Sequence, residues 1–443
     1  MDVLKPHPRL PFPVAIIATC ALLIALVAAP LATQAESFVV VSTYDGIITP
    51  VSAEYLHDAL MSAQDTGAQA LIIRLNTPGG LDPSMRLIIK DITGATIPVI
   101  VYVSPSSGRA ASAGVFITMA AHVAAMAPGT NIGAAHPVVI GGGETDKTMK
   151  EKVENDSVAY LKSIASQRGR NVTWAEDAVR KSLSVTEREA LKLKIIDLVA
   201  EDLPTLLKQL DGRSISLQSG PRRLHTADAA VREFPMGLRL EFLKTLSDPN
   251  IAYLLMTLGT IGLIAELYNP GAILPGVVGA ISLVLAFYSF QSLPVNYAGI
   301  LLFLLGIIFL ILEASVTSYG VLAVGGLISM LLGSVMLIKT EVEFLQISWA
   351  VILPVVALVS GFTFFMVGMG MNAMRRRPVT GQEEMIGLVG IVKTALTPHG
   401  QLAIHGELWE AVSEQPLQPG DKAEVTRLDG LRLHVKPVTK KGV

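Results

Sequence analysis

The sequence predicts three parts in series: an α/β layered domain, a block of membrane-spanning helices and a small all-β barrel. Three observations carry that prediction. Residues 38–200 alternate short β-branched apolar runs with segments of helical periodicity. Apolar residues then crowd the stretch from about 250 to 374, and the tail from Gly381 breaks into short alternating runs punctuated by Gly, Pro and Asp. Of 443 residues 51% are hydrophobic and 16% charged, whereas a soluble globular chain carries roughly 25% charged residues. The formal net charge of -2 offers no basic surface for nucleic acid. The single cysteine, Cys20, lies in the N-terminal apolar run, which excludes a disulfide framework and a cysteine metal site. No cofactor is implied: "GGGETDK" (141–147) is glycine-rich but lacks the phosphate-loop frame.

The elements follow in order. Lys5 and Arg9, the apolar run Val14 to Ala29 and "ATQAES" read as a secretory signal peptide over residues 1–35, with cleavage after Ala35. The α/β domain is expected over 36–204. "FVVVS" (38–42), "ALIIRL" (70–75) and "VIVYV" (99–103) read as buried parallel strands. "SAEYLHDALMSAQDTG" places Tyr55, Leu56, Leu60 and Met61 at helical spacing before the stop at Gly67, and "SMRLIIKDITGA" is a second helix. A glycine-rich loop follows Pro137, then an amphipathic helix over Thr148 to Gln167, and "TEREALKLKIIDLVAED" reads as helix plus strand. Residues 205–247 are polar and read as linker and juxtamembrane helix, with "GRSISLQSG" as a small hairpin.

Five apolar segments are expected within 248–374, at roughly 250–268, 272–290, 296–314, 319–338 and 347–374, the first reading as a short or re-entrant span that closes at Glu266. Arg375 to Arg377 directly follow the last segment, so that end reads as cytoplasmic. An odd number of spans puts the α/β domain on the far side of the membrane, as the signal peptide also does. Glu266 and Glu313 lie near span ends and read as snorkelling carboxylates. Residues 381–439 hold about five short strands, the size of an OB-like barrel suited to protein binding.

The candidate chemistry lies in "GRAASAGVFITMAAHVAAMAPGTNIGAAHP" (108–137). Ser112 sits between small residues, where a strand-to-helix turn can expose a nucleophile. An acyl transfer also needs donors aimed at the developing oxyanion. The N–H of Ala113 is one candidate, and the Gly79–Gly80 turn of "NTPGG", directly after the strand "ALIIRL", supplies another. Two residues compete as the base. His136 and Lys152 differ in kind: a histidine needs little tuning to act as a base near neutral pH, whereas a lysine must lose its proton through burial or a neighbouring cation. Generic chemistry favours the histidine, and either residue also fits a plain packing or solvated role.

"NTPGG", "AASAGVFITMAAHVAAMAPGTNIGAAHPV", "KVENDSVAYLKSIASQRGRN", "LSVTEREALKLKIIDLVA" and "DPNIAYLLMTLGTIGLIAELYNPGAILPGVVGAISL" together resemble the NfeD family of membrane-bound serine proteases. The likeness covers nearly the whole chain in the order protease, spans, barrel. It implies a ClpP-like (crotonase-type) α/β fold and a Ser–Lys dyad, with the serine at Ser112. The lysine frame falls on "KVENDSVAYLKS" and so on Lys152, not Lys162. The oxyanion donors fall on Gly79, Gly80 and Ala113, while His136 sits near the ClpP triad histidine and stays the rival base. The resemblance further implies stomatin- or prohibitin-like membrane proteins as partners and substrates, cleavage in apolar stretches, a dimer or larger homo-oligomer, and contact with membrane lipid. The competing class is a non-proteolytic scaffold that organises stomatin-like proteins. A transporter ranks below both, because the spans lack a run of charges.

Overall fold

The computed structural model describes residues 37–438 apart from 139–146, 269–270, 272, 292, 317, 319, 339, 341–344 and 375–384. The expected signal peptide, most of the glycine-rich loop after Pro137 and Arg375 to Arg377 lie outside the described residues.

The α/β domain opens with β1 (Phe38–Asp45), α1 (Pro50–Asp65), β2 (Leu71–Asn76), α2 (Asp82–Gly94) and β3 (Val99–Val103). Next come β4 (Arg109–Ala111), α3 (Ala113–Ala120), β5 (Val123–Met126), β6 (Asn131–Gly133), α4 (Lys147–Gln167), α5 (Val172–Arg180), β7 (Ser184–Thr186), α6 (Glu187–Lys192) and β8 (Leu198–Val199). The main sheet has the order β11-β1-β2-β3-β5-β8, where β11 is Ala230–Glu233, and every pairing is parallel. Both faces are covered, which is why its central strands are continuous apolar runs rather than alternating ones. Val40, Leu71, Ile73 and Val101 pack on one side with helices α1 to α5, and Val39, Val41, Ile72 and Ile100 pack on the other. A second small sheet, β4-β6-β7, meets the chain directly after β2 through the parallel Thr77–Ala110 bridge.

The structure differs from the sequence reading after residue 204. The stretch expected as linker holds the expected hairpin, β9 (Ser214–Leu217) with β10 (Gly220–Arg223), and beside it two elements that were not expected, α7 (Leu203–Leu210) and the edge strand β11. Leu206, Leu207, Leu210, Ile215 and Leu224 complete the core on the second face of the sheet. The Asp202 side chain accepts from Thr205 N to start α7, and Asp211 accepts from Thr226 N and Ala227 N after it. Strands of four residues with mostly polar side chains carry too little periodicity to stand out in sequence. The juxtamembrane helix is α8 (Leu238–Leu246).

Five apolar helices follow: α9 (Pro249–Tyr268), α10 (Leu274–Phe290), α11 (Tyr297–Ser315), α12 (Val321–Met336) and α13 (Trp349–Met374). The first is not short. Its 20 residues are long and apolar enough to cross a bilayer. It forms a tight hairpin with α10, because a Cβ on Gly262 would stand 2.6 Å from the Pro275 carbonyl oxygen and one on Gly279 2.7 Å from Leu263 N. Glu313 has a local role that the snorkelling expectation did not include. It accepts from Ser318 Oγ, from Gly320 N at 2.9 Å and from Ala323 N at 3.1 Å, which caps the start of α12.

The chain divides into two compact units, residues 1–306 with 328–355 and residues 307–327 with 356–443. The second contains the C-terminal barrel, closed in the order β12 (Val389–Val392), β13 (His399–Ile404), β14 (Glu407–Ser413), β16 (Arg432–Pro437) and β15 (Lys422–Asp429). Val392, Leu402, Ile404, Val425 and Leu433 fill it. The predicted fold class, an α/β domain with a helical block and a small barrel, is therefore what the chain adopts.

Candidate active site

Ser112 occupies the turn between β4 and α3 with φ 51° and ψ -114°. A residue with a Cβ is rarely found there, and such strain persists only where surrounding structure imposes it. Three strands of backbone hydrogen bonding impose it here. Ser112 N donates to Gly133 O at 3.1 Å, Ala111 N to Thr77 O at 3.0 Å and Thr77 N to Arg109 O at 2.8 Å. Gly114 lets α3 close on this turn, since a Cβ there would stand 2.6 Å from Thr77 Cγ2. The Ser112 side chain makes no capping bond to α3, so its hydroxyl is free to act at the positive end of that helix.

The glycine turn lies beside the serine. A Cβ on Gly79 would stand 2.7 Å from Ser112 Cβ and 3.2 Å from its Oγ. One on Gly80 would stand 2.1 Å from Ile48 O, because Ile48 is laced to this turn on both sides. Its N donates to Gly79 O at 2.8 Å and its O accepts from Leu81 N at 2.8 Å. The three expected donors therefore separate. Gly79 N is engaged by Thr77 Oγ1 at 3.1 Å. The N–H groups of Gly80 and Ala113 have no partner among the described residues.

Ser112, Gly80, Ala113 and Lys152 all line one open cavity of about 460 Å³. Leu81, Met85, Phe116, Val138 and Val153 make much of its wall apolar, and Asp82, Arg86 and Asp156 stand among the polar lining groups. Lys152 reaches it from the first turns of α4 and is exposed. Arg86 is ion-paired to Asp82 at 2.8 Å and to Asp156 at 2.6 Å. Burial alone would lower its pKa, but the two carboxylates outweigh burial and raise it.

The rival base points elsewhere. His136 is not among the cavity residues, although Ala135 and Pro137 are. Its Nδ1 donates to Val179 O at 2.9 Å, which ties the loop to the end of α5. Lys162 is paired with Glu176 at 2.6 Å, further along α4. Sequence reasoning missed the arginine contacts around Lys152. Arg86 and Asp156 are 70 residues apart in the chain, and no local spacing signals the pair.

Comparison with known proteins sets this site in context. The chain is 36% identical over 420 residues to the membrane-bound protease PH1510 of Pyrococcus horikoshii, covering 92% of this chain and 95% of the relative. The chain belongs to the NfeD family of membrane-bound proteases. The three parts of this NfeD protein match separate family models: the N-terminal domain of NfeD1b over residues 42–232, the NfeD integral membrane domain over 250–369 and the NfeD-like C-terminal, partner-binding domain over 382–437. It is a membrane protein. A second relative, the membrane protein NfeD1b of Bacillus subtilis, is 29% identical over 399 residues, covering 87% of this chain and 90% of the relative. Among solved structures, a lysine-to-alanine variant of the 1510-N membrane-bound stomatin-specific protease in complex with a substrate peptide is 34% identical. It covers 48% of this chain and 99% of its own, with a TM-score of 0.45.

Proposed function

We propose that this NfeD protein is a serine endopeptidase that uses Ser112 as nucleophile and Lys152 as general base. The observation that carries the reading is that a strained, uncapped serine and the lysine share one cavity with two unpartnered backbone N–H groups. Ser112 Oγ attacks the scissile carbonyl carbon while the neutral Lys152 amine takes its proton. The N–H groups of Gly80 and Ala113 hold the oxyanion, aided by the N-terminus of α3. Gly79 contributes by absence of a side chain rather than as a donor. Collapse expels the amine, which receives from Lys152 the proton taken from Ser112, and leaves an ester on Ser112. Water then attacks the ester while Lys152 takes one of its two protons; collapse returns that proton to Ser112 Oγ and frees the carboxylic acid, which gives its remaining proton to solvent as it leaves as the carboxylate. A lysine in water is protonated at neutral pH. An apolar segment seated in the cavity displaces that water and disfavours the ammonium, so substrate binding prepares the base.

The apolar wall suits hydrophobic stretches of membrane proteins. The 1510-N protease is stomatin-specific by name, and we carry a stomatin- or prohibitin-like substrate and partner over from it. The C-terminal barrel is the partner-binding part, working in a homo-oligomer at the lipid surface. The protease domain lies outside the cytoplasmic membrane and the barrel inside. Geometry favours this reading over the scaffold, since packing alone gives no reason to hold Ser112 at a positive φ.

The test compares cleavage of an apolar peptide by full-length wild type, Ser112→Ala, Lys152→Ala and His136→Ala. The first two substitutions abolish cleavage and the third keeps most of it. An inactive His136→Ala beside an active Lys152→Ala would assign the base to the histidine. A wild type that cleaves no apolar peptide would favour the scaffold.

A further inference from the structure

We infer that Arg86 and Arg180 are positioning residues that hold the Lys152 segment of α4 at the cavity. The inference rests on the Ser112–Lys152 reading above. The buried residues of α4 are Ser157, Val158, Leu161, Ile164 and Ala165. The turns that carry Lys152 precede all of them, so the hydrophobic core does not fix the base. Polar contacts do. Arg180, the last residue of α5, donates from Nη1 to Glu154 Oε1 and from Nη2 to Asn155 Oδ1, both at 2.8 Å. Arg86, on α2, donates from Nη2 to Asp156 Oδ2 at 2.6 Å. Two guanidinium groups from separate helices therefore grip three consecutive residues, beginning two positions after Lys152.

Each guanidinium is itself held. Arg180 Nε donates to Glu176 at 3.0 Å, and Glu176 also accepts from Lys162 at 2.6 Å. Arg86 Nε donates to Asp82 at 2.8 Å, and its guanidinium lies 4.3 Å from the centre of the Tyr160 ring. A planar fork that meets acceptors at fixed angles specifies orientation, which a lysine ammonium does not. Exposed ion pairs add little to global stability. Their effect here is on placement, where a misplacement of roughly 1 Å can cost on the order of a hundredfold in rate.

Arg180 is the cleaner probe, because Arg86 lines the cavity and Arg180 does not. The experiment measures kcat, KM and thermal midpoint for the full-length protein in detergent, with an apolar peptide as substrate. Arg180→Ala is expected to lower kcat about tenfold, with KM within about twofold and the midpoint unchanged. Arg180→Lys recovers only part of the loss. Glu154→Arg added to Arg180→Glu restores kcat relative to Arg180→Glu alone. Wild-type kcat in Arg180→Ala beside an inactive Lys152→Ala overturns the clamp and leaves the base assignment standing. A loss of kcat that tracks a lowered midpoint also overturns it. An active Lys152→Ala overturns the base assignment, and the clamp with it.

Discussion

Ser112, the proposed nucleophile, sits on a strained backbone, and that strain has a measurable cost in stability. At φ 51° and ψ -114° the preferred residue is glycine. Ser112→Gly is therefore expected to stabilise the protease domain by about 1 kcal/mol, the relief of local strain less the added chain entropy of glycine. Its thermal midpoint should rise by about 2–4 °C, with cleavage abolished. An unchanged midpoint would mean that the turn is not strained. Gly79→Ala acts in the opposite sense. Its new Cβ would stand 2.7 Å from Ser112 Cβ, on a backbone at φ 125°, so it should lower both the midpoint and the cleavage rate. His122 supplies a pH dependence. Burial, followed by the nearby Arg168 and Arg170, pushes its pKa down to about 3. Between that value and about 6.5 the unfolded chain binds a proton that the folded chain refuses, so stability falls as pH falls. His122 alone should cost the domain about 1.6 kcal/mol between pH 6.5 and pH 5. His122→Asn, which cannot titrate there, should lose less, and equal acid sensitivity in both proteins would remove His122 as the cause.

At the scale of elements, the helix that begins at Ser112 is fixed at its other end by two arginines. Arg170 donates to the carbonyls of Met119 and Ala121, the latter at 3.0 Å, and pairs with Asp197 at 2.7 Å, while Arg168 donates to Ala120 O at 2.8 Å. These cations complement the negative end of α3 as well as filling its orphan acceptors. The Arg170 side chain is 3% exposed and that of Asp197 34%. Arg170→Ala should cost about 3 kcal/mol, the low end for breaking a buried pair because Asp197 keeps some water. Thermal unfolding of the protease domain checks this, and a loss below about 1 kcal/mol would mark the pair as a surface contact. Much of this domain was legible in the sequence. β1, β2 and β3 are continuous apolar runs because both faces of the sheet are covered, and the glycines of "NTPGG" and "AASAG" mark the two turns that meet. The arginine contacts were not legible. Arg170 reaches Met119 across 51 positions and Arg180 reaches Glu154 across 26, and neither separation has a local signature. The edge strand β11 was hidden for another reason: its four residues pair only with β1, and most face solvent.

At the scale of the whole molecule, the topology proposed above, with the protease domain and the barrel on opposite sides of the membrane, makes a direct prediction. The chain's single cysteine makes this accessible to labelling. In a Cys20→Ala background, Asp65→Cys in right-side-out vesicles should react with a membrane-impermeant maleimide, whereas Glu414→Cys should react only after permeabilisation. Both positions are exposed. Simultaneous labelling of the two would contradict the assigned topology. The sequence resolved this scale best in its composition, since apolar crowding between residues 250 and 374 and alternation beyond 381 need no long-range contact to be seen. The central claim, however, is chemical. It is tested most directly by treating the full-length protein with a fluorophosphonate and locating the adduct by peptide mass mapping. Modification is expected at Ser112, lost in Lys152→Ala and retained in His136→Ala. An adduct at another serine, or labelling of Lys152→Ala at the wild-type rate, would contradict it.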